Sequence, residues 1–139
     1  MKHHRIIALV LVVAMVFATI AGCGKEGGTG KQGECTVSVT CQTAVEQKKA
    51  GKVKKEAEAV IPDDGIILEE RTVVFNEGDS AADVLIQVGR ENEIQVSVKG
   101  SKKSTYVEGI GNLYERHCGG KSGWLFSVNG EFPEASPGQ

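Results

Sequence analysis

The chain has 139 residues, with 16 basic and 18 acidic side chains, a net charge of −2, four cysteines and a single tryptophan. That length holds one domain around one core. The slight acidity, with basic residues that lack aromatic neighbours, excludes a nucleic-acid surface.

MKHHR is a short basic head, and it leads into the apolar run Ile6 to Ile20. Such a run matches the h-region of a signal peptide and is short for a membrane span of about 20 residues. It ends at Ile20-Ala21-Gly22-Cys23, which resembles a bacterial lipobox with Ile20 where Leu is usual. Small residues there let the backbone thread the narrow site of a signal peptidase while the thiol already carries its lipid. Residues 1–22 are therefore expected to be a lipoprotein signal peptide, with lipidation at Cys23. The alternative is a transmembrane anchor. Residues 23–34 are then the lipidated Cys23 and GKEGGTGKQGE, rich in glycine and charge, a flexible tether. The expected location is extracytoplasmic, lipid-anchored to the bacterial cell membrane or surface, where acyl chains hold durably and disulfides persist.

The domain is expected over residues 35–139. CTVSVTC alternates, so Cys35, Val37, Val39 and Cys41 should share the buried face of a strand. Residues 44–60 have helix-favouring composition with a thin apolar stripe and Gly51 in the middle, a marginal helix. Its lysines, Lys48 to Lys55, read as a solvated face in preference to a contact with anionic lipid or wall polymer. Pro62 and the turn Asp63-Asp64-Gly65 follow. RTVVF, residues 71–75, is a second strand. Ser80 with Asp83 resembles a capping box, opening a helix through Asn92 whose Ala81, Val84, Leu85 and Val88 form one stripe. EIQVSVK then alternates with Ile94, Val96 and Val98 inward. STYV is a further strand, with a loop over Gly109 to Asn112. GWLFSV, residues 123–128, places Trp124, Phe126 and Val128 on one face, and Asn129-Gly130 is a hairpin turn. Only Glu131-Phe132 return before Pro133. The order β, β, α, β, β, β predicts an α+β domain with one helix packed on a mostly antiparallel sheet.

The runs VVFNEGDSAADVL, TYVEGIGNLYE and GWLFSVNG, in this order, resemble the transcobalamin-like C-terminal domain. This is a β-grasp-like module of bacterial surface lipoproteins and of animal vitamin B12 carriers, and the likeness covers about residues 35–133. In the carriers the domain forms one wall of a cobalamin site, and a helical barrel forms the other. The resemblance therefore implies a corrinoid (cobalamin-like) or other planar small ligand at half a site. Related domains also run on into a strand of the form Gly-Asp-x-Ile-x-Trp. The sequence ends at Gln139 without it, so it is expected either to be a fragment or to leave a sheet edge open beside Trp124 for a protein partner.

Among chemistry-bearing residues, Cys35, Cys41 and Cys118 are the disulfide candidates, an odd number once Cys23 is acylated. Cys35 and Cys41 lie six residues apart on one strand, about 20 Å at strand rise, too far to bridge each other. One of them is expected to pair with Cys118. A zinc site from Cys35, Cys41, His117 and Cys118 fits by residue type but lacks the ligand spacing. His117 and Cys118, adjacent on an extended strand, diverge and make a poor nucleophile pair; His117 reads as a surface histidine. Asp63-Asp64-Gly65 is a turn without the ligands of a calcium loop. Glu69-Glu70 diverge, and no glycine-rich loop joins a strand to a helix. No catalytic residue, cofactor or metal site is expected, and no enzyme. The aromatic residues remain. Tyr106, Tyr114 and Trp124 are the ligand-binding candidates, since aromatic faces with polar tips give contact area at low entropy cost. For Trp124 a core role is equally supported, and for Phe126 it is favoured. The expected function is a non-catalytic binding module; the competing class is a cell-surface interaction or adhesion module that uses its open edge without a small ligand.

Overall fold

A computed structural model describes residues 30–139. The expected signal peptide, Cys23 and the tether as far as residue 29 lie outside the described residues. Among the described residues no helix is long and apolar enough to cross a membrane.

The alternation around Val37 produces β1 (Gln32–Thr40), which begins three residues before Cys35. Gln32, Gly33 and Glu34 pair with Asn76, Phe75 and Val74 of β2 (Ile66–Asn76), so the last residues of the expected tether belong to the sheet. Gly33 leaves room for the Phe75 ring, which a Cβ would approach to 2.6 Å. β2 is longer than the expected RTVVF because IILEE also pairs. Register shifts between Val37 and Val39, and again before Thr40, absorb its break in alternation.

Two expectations fail at the end of β1. Cys41 is not a fourth strand residue: the strand stops at Thr40 and Cys41 takes the capping position of α1 (Gln42–Lys49), with φ −136°. The helix expected over 44–60 is two helices, α1 and α2 (Lys55–Glu58), because Gly51 adopts φ 66° and ends the first. Of the lysines in this stretch, Lys48 reaches back, its Nζ donating to Ile61 O at 3.0 Å and pairing with Asp63 at 3.2 Å.

The capping box is present as expected. Ser80 Oγ accepts from Asp83 N at 3.2 Å and Asp83 Oδ2 accepts from Ser80 N at 2.9 Å, opening α3 (Ala81–Glu91), which Asn92 closes. β3 (Val96–Lys99), β4 (Tyr106–Ile110) and β5 (Leu113–Tyr114) form an antiparallel ladder in that order. Gly111 and Asn112, at φ 58° and 63°, make a two-residue mirror-image turn that pairs Ile110 with Leu113. The strand begun in STYV thus extends to Ile110, through half of the expected loop. Val98 faces buried Val107 but is 38% exposed, since β3 is the edge strand.

The fold is α+β, with α3 packed against antiparallel strands that form a two-stranded and a three-stranded ladder. One buried cluster joins Val39, Leu68 and Val73 of the first ladder, Val84 and Val88 of α3, and Val107 and Ile110 of the second. A second cluster holds Cys41, Ala44, Val45, Ala57, Ile61 and Leu113.

GWLFSV is not a strand. Trp124 and Phe126 are half-buried and Leu125 is exposed, so the alternation survives, but residues 122–127 join no ladder. Val128, expected to face inward with them, is 51% exposed. The Asn129-Gly130 turn forms as expected, at φ 52° and 82°, closed by the Val128–Glu131 bridge. Two returning residues before Pro133 cannot extend that bridge into a strand pair. The tail is tied back instead: Ala82 N donates to Pro137 O at 2.7 Å and Ser136 Oγ to Thr105 O at 2.6 Å.

Candidate functional site

Trp124 packs against both buried clusters, and its Nε1 donates to Leu113 O at 2.9 Å. The indole is thus a joint between the two halves of the core, with its polar atom already used. Tyr106 opens β4 and is 44% exposed, its hydroxyl donating to Glu115 Oε2 at 2.6 Å. That bond, and then burial, hold the phenol above its usual 10.0. Lys99 and Glu108 form an ion pair on the same two strands. Tyr114 is 37% exposed and lies across Gly109, where a Cβ would stand 2.6 Å from its ring. Its ring meets His117 edge-on, 5.6 Å between centroids. His117 is more than a surface histidine: its Nδ1 accepts from Tyr114 N at 3.2 Å and its carbonyl accepts from Lys54 N at 2.8 Å, so it fixes the loop after β5.

The three aromatic candidates line one open groove of about 1000 Å³, whose wall also includes Cys41, Leu113 and Cys118. Trp124 also lines a neighbouring groove and, with Nε1 bonded to Leu113 O, is the most buried of the three. Phe132, on its rim, is 71% exposed.

A second groove, of about 1110 Å³, includes Trp124, beside which an open edge was expected, but its β1 side was not expected as a surface. Residues 34–40 of β1 form one wall and residues 124–129 the other, and core residues Val39, Val84, Val107 and Ile110 reach its floor. Among the described residues β1 pairs only with β2, so its other backbone edge is unpaired, as is the extended segment across the groove. Cys35 and Val37, on the inward face of β1, remain half-buried. The signal for this wall was the short return after Asn129-Gly130, which leaves the preceding residues without a ladder.

Cys35, Cys41 and Cys118 are thiols. Cys35 packs on the first cluster, whereas Cys41 lies in the second and Cys118 packs against it. Burial raises the Cys41 and Cys118 thiols, and for Cys41 the nearby Cys118 adds to the shift. Among the described residues no three His, Cys, Asp or Glu side chains gather as a metal site.

A family model described as a domain of unknown function, DUF4430, matches residues 78–138, from the turn before α3 into the tail. The matched stretch is similar to that family; it leaves out the β1–β2 hairpin. Neither a curated protein nor a solved structure matches the chain.

Proposed function

We propose that the chain is a non-catalytic, lipid-anchored binding module on the outside of a bacterial cell, and that the β1 groove takes an extended polypeptide strand. The observation that carries this reading is that two backbone segments with unpaired edges, residues 34–40 and 124–127, line one groove with apolar core residues. Buried peptide groups need partners, and a strand laid between two edges supplies them to both sides at once. Seven residues of β1 extend about 23 Å, the length of an ordinary strand.

Strand patterns in related domains suggest the probe. Domains that resemble this one carry a strand of the form Gly-Asp-x-Ile-x-Trp, whose alternating apolar side chains suit such a floor. A synthetic nonapeptide of that pattern, added to the protein, should bind saturably and slow hydrogen exchange at the amides of residues 34–40. Binding that protects residues 113–123 instead, or an alternating peptide that does not bind at all, would count against the groove as a strand site.

A second reading follows from the resemblance to transcobalamin-like domains: a corrinoid, or another planar ligand, held in the neighbouring groove. It is favoured by Tyr106, Tyr114 and Trp124 lining one surface. Equilibrium dialysis against cobalamin and cobinamide tests it. The informative variant is Tyr106→Ala, because Tyr106 is exposed and its loss should leave the core intact, whereas Trp124→Ala would damage the fold. Saturable binding lost in Tyr106→Ala would support the corrinoid reading; absence of binding by the folded protein would remove it.

A further inference from the structure

We infer that Cys41 and Cys118 are joined by a structural disulfide when the protein meets an oxidising environment, fastening the start of α1 to the loop after β5. The two thiols share one cluster and line one groove, while the third described cysteine, Cys35, sits on the other cluster and lines the other groove. Both backbones are already held. Cys41 N donates to Gly65 O at 2.7 Å, and Cys118 N donates to Ser122 Oγ at 3.1 Å. Lys54 N, donating to His117 O at 2.8 Å, ties the helical side of the region to the loop that carries Cys118.

This is also the region with most to gain from a cross-link. α1 and α2 are short and lack side-chain caps, and half of the buried residues in the cluster beneath them are alanine or cysteine. A bond between residues 41 and 118 closes a loop of about 77 residues, and long closed loops remove the most freedom from the unfolded chain.

The reaction needs an acceptor disulfide, from a thiol–disulfide oxidoreductase or from oxidised glutathione. The Cys118 thiolate, on the less buried residue, attacks one acceptor sulfur and expels the first acceptor thiolate, forming a mixed disulfide. The Cys41 thiolate then attacks the Cys118 sulfur and expels the second. Two electrons and two protons pass to the acceptor, which becomes the dithiol of the oxidoreductase or two glutathione thiols, and the Cys41–Cys118 bond remains. Burial keeps the thiolate fraction of both cysteines small, so closure is slow, and the same burial shelters the finished bond from exchange. The inference uses the proposed extracytoplasmic location only for the source of oxidant and is independent of either groove reading.

Cys35 and Cys41 fall on one tryptic peptide, Gln32 to Lys48, so variants are needed to tell them apart. The full chain, its Cys35→Ser variant and its Cys41→Ser variant would be equilibrated in glutathione buffer poised at about −180 mV. They would then be alkylated, digested and mapped by mass spectrometry. The expected result is that peptide linked to His117–Lys121 in the unmodified chain and in Cys35→Ser, and no such link in Cys41→Ser. Reduction should lower the melting temperature of the first two by about 10 °C or more. A link that survives Cys41→Ser, or free Cys41 and Cys118 in Cys35→Ser at that poise, would overturn the pairing. A link whose reduction leaves the melting temperature unchanged would overturn its structural role.

Discussion

The two buried clusters are built from different materials. The first draws Val, Leu and Ile from two ladders and from a helix with a full capping box. The second joins Ala44, Val45 and Ala57, from helices without side-chain caps, to Cys41, Ile61 and Leu113 outside them. Each buried methylene contributes about 0.8 kcal/mol, so the first cluster has much the larger apolar drive. What the second has is attachment. Ile67 and Trp124 pack against both clusters, while Lys48 and Lys54 bond to carbonyls of Ile61 and His117 within its own region. One region stands on its own volume and local signals, and the other stands on its links to the first.

If that contrast is right, the largest effect belongs to the shared joint. Trp124→Ala should destabilise the fold by about 3 kcal/mol, read as a fall in the denaturant midpoint, since it opens both clusters and strands Leu113 O. A change under about 1 kcal/mol would mean that the indole does not couple the two regions. Next, Val88→Ala, at a side chain only 1% exposed in the first cluster, should cost about 2 kcal/mol. Ala57→Gly, fully buried in the second cluster but with one methyl to lose, should cost about 1 kcal/mol, chiefly through helix propensity. Equal costs at the two sites would erase the distinction between the clusters. Native-state hydrogen exchange sharpens it, because the amides of α1 and α2 should exchange faster than those of α3.

The contrast also explains what could be read in advance. Most features of α3 were legible because they are local: Ser80 and Asp83 sit three residues apart, and Val84, Leu85 and Val88 repeat at helical spacing, although Ala82 and not Ala81 is the buried alanine. The Asn129-Gly130 turn was legible for the same reason. Failures gathered where partners are distant in sequence. Cys41 reads as a strand residue until the register shifts around Val39 end β1 at Thr40. The single helix over 44–60 fails because one positive φ at Gly51 outweighs good flanking composition. GWLFSV has the alternation of a strand, but alternation sets only which side chains face inward, and a strand also needs an edge to pair with. The grouping of Tyr106, Tyr114 and Trp124 came from their residue type and from a family likeness. Of the β1 groove, made of backbone edges, only the wall beside Trp124 was legible, through the short return after Asn129-Gly130; the β1 wall was not.

The smallest effect tests the local signal that the second cluster lacks. Ser80→Ala should cost about 1 kcal/mol by removing the acceptor for Asp83 N. The same box carries a pH dependence, because its hydrogen bonds from Ser80 hold the Asp83 carboxyl below its ordinary value of 3.8. A depressed carboxylate binds its proton more weakly in the folded chain than in the unfolded one. Its contribution is therefore present above the ordinary value and is lost as the pH falls through the folded one. Melting curves between pH 2 and pH 5 should show the unmodified protein losing stability over a window in which Asp83→Asn loses less. The difference should be small, because Asp83 lies near the surface and water screens its charge. Parallel curves would place the stability of this helix start in the Ser80 hydroxyl alone, and α3 would then depend, as α1 and α2 do, on what it packs against.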